Sequence, residues 1–323
     1  MDPGFPNAGG RRATIAGILP LVAALGAVPA GAATEPDLPG WGLDRIDQRS
    51  LPLDGSYLPG RDGTGVTVYL VDTGLETGNA QFGDRASLGV NLTGTSVVDC
   101  PDEFGVSHGT FVAGIVGGTR TGVAPAAHLV EVQSLGCREG GATMTVRQER
   151  RATVRAANWI RNHAVRPAVV NMSLRFRRST KIDRAVRRLV QSGIPVVAAA
   201  GNDSGNACRY SPAHLPAVIT VAASTRRERP WHGSNRGPCV DLWAPGKSIT
   251  SVVPDVGILH YVGSGATSWA TPFVTGAVAL YLQSNPTATP SAVRRWLRTN
   301  ATPDALTGVG RRTPNRLLYV GAP

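Results

Sequence analysis

The stretch VTVYLVDTGLE, residues 66–76, decides how the rest of the chain is read. Its first six residues are apolar or β-branched and lack in-out alternation, so they predict a strand buried on both faces. The run stops at Asp72, followed by Thr-Gly, a pair suited to a turn. Four similar runs lie downstream: HLVEV (128–132), AVVNMSL (168–174), IPVVAAA (194–200) and AVITVAA (217–223). Between them the period changes to that of a helix. Ile182, Ala185, Val186, Leu189 and Val190 form one stripe over 180–192, with Gly193 ending it, and 143–163 carries Val154, Ala157, Ile160 and Ala164 on one side. Strands alternating with helices predict an α/β fold, a mostly parallel sheet flanked by helices on both faces, with ligands at the carboxyl ends of the strands. No linker interrupts 41–323, so 34–323 is expected to be one domain.

The chain of 323 residues carries a net charge of +11, yet Lys181 and Lys247 are its only lysines. The arginines fall on expected outer helix faces, as Arg147, Arg151 and Arg155 do at a spacing of four, which reads as solvated surface. No basic-aromatic pattern suggests nucleic acid as a partner. The segment GGRRATIAGILPLVAALGAVPAGAA (9–33) has the two arginines, apolar centre and small-residue end of a secretory signal, so 1–33 is expected to be a signal peptide. No other stretch is apolar enough for a stable membrane association. Cys100, Cys137, Cys208 and Cys239 suit two disulfides in an oxidising compartment; their spacing leaves all three pairings open and is poor for zinc.

Chemistry gathers where the strands end. Asp72 follows the first strand and Asn202 follows the run 194–200. SHGTFVAGIVGG (107–118) starts an apolar helix at His108, and ATSWATPFVTGAVALYL (266–282) does so at Ser268. Singly these are an ordinary turn residue, loop residue, helix start and N-cap. Together, Ser, His and Asp make a nucleophile: imidazole takes the hydroxyl proton and a buried carboxylate stabilises the imidazolium. A helix N-terminus beside Ser268 offers N–H groups to an oxyanion. A rival reading pairs DTG (72–74) with DSG (203–205) as aspartic-peptidase carboxylates, but that fold is mostly β and the alternation here opposes it.

In this order VYLVDTG, HGTFVAG, VVNMSL, VVAAAGND, NACRYSPA, CVDLWAPG and TSWATPFVTG resemble the subtilisin-like serine peptidases, the proteinase K-like group among them. The similarity runs from WGLDRIDQ (41–48) to PNRLLY (314–319). It implies a secreted serine endopeptidase acting on proteins or peptides as a monomer. Asp72, His108 and Ser268 would be the triad and Asn202 the oxyanion donor. Ser173, Leu174, Arg175, Ala200 and Gly201 would bind substrate, and no cofactor is required for the chemistry. It also implies the pairings Cys100–Cys137 and Cys208–Cys239, and a structural calcium held by Pro216, Val218 and Asp241. The chain departs from the family at several places. Ala266 replaces a glycine before the Thr-Ser pair, Arg175-Phe176 replaces two glycines and is expected to narrow the cleft, and Ser107 and Phe111 are unusual near His108. The segment between Cys100 and His108 is long. Only 40 residues precede Trp41, too few for an inhibitory propeptide, so the expectation is unaided folding or a start further upstream. Ala266 and Arg175 motivate an alternative: an exported, catalytically impaired homologue that binds peptides.

Overall fold

The computed structural model describes residues 39–96, 98–100, 107–137 and 143–321, so the expected leader lies outside the described residues. The elements in chain order are α1 (Trp41–Ile46), β1 (Thr67–Leu70), β2 (Ala86–Asn91), α2 (His108–Gly117), β3 (His128–Gln133), α3 (Val146–His163), β4 (Ala168–Met172) and β5 (Phe176–Arg177). They continue with α4 (Thr180–Gln191), β6 (Val196–Ala199), β7 (Tyr210–Ser211), β8 (Ile219–Ser224), β9 (Leu242–Pro245), β10 (Lys247–Val253) and β11 (Gly257–Gly265). The last are α5 (Thr267–Ser284), α6 (Pro290–Asn300), β12 (Thr302–Pro303) and β13 (Arg316–Leu317).

The main sheet has the order β12-β13-β9-β8-β6-β4-β1-β3-β2. Every neighbouring pair from β13 to β2 is parallel, and only β12 runs antiparallel to its neighbour. The α/β fold read from the sequence is therefore the one observed. Alternation along one strand sorts the two cores: Val68 and Leu70 join the cluster with Phe111, Ile115 and Phe273 from α2 and α5. Tyr69 and Val71 join the other, with Ile160, Ile182, Val186 and Leu189 from α3 and α4. Because the strands are parallel, Asp72, Ser173 and Ala200 leave β1, β4 and β6 along the same edge.

One predicted boundary and one predicted face shift. α3 starts at Val146, where Thr145 and Gln148 form a reciprocal capping box, and its buried stripe is Ala152, Thr153, Ala156, Ala157 and Ile160. Val154 and Ala164 are only partly covered, because the small alanines let the helix sit one residue round from the expected face. The sequence reading did not contain β2, the β10–β11 hairpin or α6, none of which carries a continuous apolar run.

The position of α2 depends on a close backbone approach. A Cβ at Gly109 would stand 1.9 Å from the Gly74 carbonyl oxygen, and Gly74 itself has φ +131° with no room for a side chain against Val98. Two glycines thus let the helix bearing His108 touch the turn after β1. Gly109→Ala is expected to destabilise the fold by ~1–3 kcal/mol or more through overpacking, read as a lowered midpoint in a thermal melt, whereas Gly78→Ala, exposed and with nothing near its Cβ position, stays nearer wild type.

Candidate active site

Ser268 lies in the first turn of α5 and is held from both sides by one residue of the strand edge. Its Oγ donates to the Ser173 carbonyl at 3.2 Å, and Ser173 Oγ donates to the Ser268 carbonyl at 3.0 Å. That carbonyl is available for a sequence reason: Pro272 stands four residues on and has no N–H to give it. The link continues inward, with Asn171 Nδ2 donating to Ser173 Oγ at 3.0 Å and Thr275 Oγ1 donating to Asn171 Oδ1 at 2.8 Å. These buried polar residues tie α5 to β4, and the sequence reading passed over Asn171 and Thr275. Pro272 inside a helical run was the available signal. Ala266, the N-cap of α5, has φ −155° and ψ 149°. That is ordinary extended backbone, so the methyl in place of glycine brings no strain.

Asp72 leaves β1 fully buried. Its Oδ1 lies 2.6 Å from His108 Nδ1 and also accepts the Thr73 N–H at 2.8 Å. A carboxylate on Nδ1 fixes the proton there and leaves Nε2 as the basic nitrogen. The imidazole packs on Trp269, the residue after Ser268, with ring centroids 5.1 Å apart, and Phe111 packs on the same indole at 4.5 Å. Phe111 therefore serves as support for the His108–Trp269 contact.

Asn202 sits at the end of β6. Its Oδ1 accepts from the Thr267 N–H at 2.9 Å and from Thr267 Oγ1 at 2.7 Å, while the Gly201 N–H donates to Thr267 Oγ1 at 3.0 Å. Because a backbone N–H can only meet the amide oxygen, Nδ2 must face away from Thr267. The segments 173–175 and 200–202 continue neighbouring strands, since Met172 pairs with Ala198, and so flank one slot next to Ser268.

Arg175 crosses that slot. Its stem lies against Gly201, whose Cβ position is 2.6 Å from Arg175 Cδ, and its guanidinium reaches Asp203 Oδ1 at 2.7 Å and lies 5.0 Å from the Tyr210 ring centroid. Asp203 thus faces Arg175, which removes it from any aspartic pair with Asp72. Phe176 corrects the expectation that both bulky residues fill the cleft. β5 pairs with β7, and alternation turns Phe176 into the α3–α4 core while Arg177 points outward. The disulfides Cys100–Cys137 and Cys208–Cys239 close loops near the His108 and Asn202 segments.

Of the three residues expected to hold calcium, Asp241 has both carboxylate oxygens engaged, by Arg294 and by the Thr220 N–H.

One further carboxyl lies beneath Asp72. Glu131 on β3 is fully buried, and neither of its carboxyl oxygens makes a hydrogen bond of normal geometry. Burial, then the charges of Asp72 and Asp99, push its pKa well above the ordinary value, and the backbone of Gly74 and Asp72 offsets only part of this. Asp99 accepts from Thr73 Oγ1 at 3.0 Å and from both the Thr110 hydroxyl and N–H. Burial, opposed by these hydrogen bonds and reinforced by Asp72, pushes it up to about 6.

The profile of the subtilase family matches residues 63–317. The chain is 46% identical over 281 residues to an extracellular serine proteinase of Thermus sp. (strain Rt41A), covering 86% of this chain and 65% of that protein. It is 42% identical to an alkaline serine exoprotease A of Vibrio alginolyticus, covering 86% of this chain and 50% of that one. The chain thus spans between half and two thirds of the length of these relatives. Among solved structures, a cold adapted subtilisin-like serine proteinase superposes with a TM-score of 0.79 at 40% identity, over 88% of this chain and 98% of the other.

The raised pKa of Glu131 has a signed consequence. Its contribution to stability is fully present below the unfolded value near 4.5 and is lost as pH rises toward the folded value, because folding must then take up a proton. In an inactive Ser268→Ala background, Glu131→Gln is expected to melt higher than its parent at pH 8. The gap should close toward pH 4, with a slope of up to about 1.4 kcal/mol per pH unit. Parallel melting curves across this range would show that Glu131 carries no shifted proton.

Proposed function

The chain belongs to the subtilase family, and on that premise we propose that it is a secreted serine endopeptidase hydrolysing peptide bonds through an acyl-enzyme on Ser268. The observation that carries this reading is the buried Asp72 carboxylate 2.6 Å from His108 Nδ1, with His108 stacked beside the Ser268–Trp269 turn. When a substrate enters, Ser268 Oγ turns from the Ser173 carbonyl toward His108 Nε2. It attacks the scissile carbonyl as its proton passes to Nε2, and Asp72 stabilises the imidazolium. The negative charge that develops on the carbonyl oxygen is met by Asn202 Nδ2 and by N–H groups of the first turn of α5. His108 then gives its proton to the leaving amine. Water, deprotonated by the same nitrogen, repeats the attack on the ester and releases the acid. The reaction uses side chains and backbone alone, and no cofactor enters it.

Protein or peptide substrates lie extended between the segments with Ser173, Leu174 and Arg175 on one side and Ala200 and Gly201 on the other, in the manner of an added strand. Residues 1–33 act as the export signal and 34–323 as one monomeric peptidase domain. The Thermus relative, named an extracellular serine proteinase, supports that location. No described helix is long and apolar enough to cross a membrane.

The Arg175 strap sets the substrate class. Its stem covers Gly201 while Asp203 neutralises its charge, so the slot beside the scissile bond accepts small side chains better than large aromatic ones. Ala266, being unstrained, gives no support to the impaired-homologue reading, which rests on Arg175 alone.

A fluorophosphonate is expected to label the wild type at Ser268 and to leave Ser268→Ala unlabelled; an unlabelled wild type would establish the impaired homologue instead. Asn202→Ala is expected to lower kcat by roughly 10²–10³-fold with little change in KM, a magnitude taken from a subtilisin rather than from this geometry. Arg175→Gly should shift the kcat/KM ratio of aromatic over small substrates upward by about tenfold or more, and an unchanged ratio removes the strap from this account.

A further inference from the structure

Asp241 is the carboxylate for which the family resemblance implies calcium, and a different cation meets it here. Arg294, on α6, approaches Asp241 Oδ1 with Nε at 2.8 Å and Nη2 at 2.7 Å. Oδ2 accepts the Thr220 N–H at 2.9 Å, and the Asp241 N–H donates to the Thr220 carbonyl at 2.8 Å. The side chain is only 3% exposed, so its charge has left water almost completely. A carboxylate in that position needs a compensating cation. A divalent ion or a guanidinium can supply it, but both together would place like charges within a few ångströms of each other in a poorly screened site.

The surroundings decide between them. Arg294, Arg295, Arg298 and Arg316 line a pocket of about 420 Å³ on this side of the molecule, with Ser291 and Thr299, and no acidic residue takes part. Among the described residues no group of three His, Cys, Asp or Glu side chains is placed to hold a metal. Calcium takes 6–8 oxygen ligands from carboxylates, carbonyls and water; here the one carboxylate is already engaged at both oxygens, beside a cluster of arginines.

We propose that Arg294 replaces the metal at Asp241, so that this locus is held by a tethered guanidinium and binds no calcium. The substitution changes more than the identity of the cation. A calcium ion stabilises by mass action and leaves when the medium lacks it, whereas Arg294 is part of the chain. α6 is thereby pinned to the β8–β9 edge independently of ionic supply.

The test follows thermal midpoints in EDTA and in millimolar calcium, using Ser268→Ala protein so that self-digestion plays no part. Calcium bound elsewhere would act equally on every variant, so the informative comparison is between Ser268→Ala and Ser268→Ala/Asp241→Asn. The expected result is the same calcium response in both. A calcium-dependent rise of several degrees present in the first and lost in the second overturns the proposal. Arg294→Gln should lower the midpoint by several degrees in EDTA, and adding Asp241→Asn should recover part of the loss, because the stranded carboxylate is then gone. An Arg294→Gln midpoint equal to that of the parent also overturns it. If Arg294→Gln does not fold, the calcium comparison decides alone, since it leaves Arg294 in place.

Discussion

A single negative charge, buried at the end of β1, is the constraint on which the rest of the site depends. Asp72 is out of contact with water, and its hydrogen bonds come from Thr73 and His108. A charge in such a place stabilises an imidazolium strongly, because little solvent screens it. The same lack of screening penalises a second negative charge nearby. Asp99 responds by drawing in the Thr73 and Thr110 hydroxyls, and Glu131 is held toward its neutral form. The close packing of α2 on the turn after β1, through Gly109 and Gly74, brings His108 within reach of that charge.

Ser268 is positioned by a second device of different kind. α5 is an apolar helix buried over most of its length, and burial alone would leave it free to slide along the sheet. The polar chain Thr275–Asn171–Ser173–Ser268 removes that freedom, since a slip of one residue would strand several buried hydrogen-bonding groups. Pro272 makes the arrangement possible by leaving the Ser268 carbonyl for Ser173. Thr267, one residue before Ser268, orients Asn202 through both its N–H and its hydroxyl. Ser268 and Asn202, the proposed nucleophile and oxyanion donor, are thus referenced to the same helical turn.

The arginine excess also takes on a structural meaning. Many arginines do lie on solvated helix faces, but Arg45 is almost fully buried against Glu228 with contacts of 2.6 and 2.9 Å, and Arg294 and Arg175 pair with Asp241 and Asp203. A planar fork satisfies a carboxylate with two donors at once, which lysine cannot do. The guanidinium therefore serves as the internal counter-ion of this fold, across its cleft and at the α6 edge.

The sequence by itself determined the α/β fold, because strands buried on both faces leave short continuous apolar runs and amphipathic helices leave a period of 3.6, signals that need no partner to be recognised. It also located Asp72, His108, Ser268 and Asn202, since each stands at the boundary of such a run. It could not show which way a side chain turns at a boundary, for that depends on neighbours distant in sequence. Phe176 reads as a cleft residue until the pairing of β5 with β7 turns it into the core. Ala266 reads as a strained substitution until its extended φ is known. Asp241 and Arg294 are 53 residues apart and share no local pattern. Only the tertiary placement of α6 brings them together, because a buried charge selects its counter-ion by proximity in space, which a one-dimensional sequence does not record.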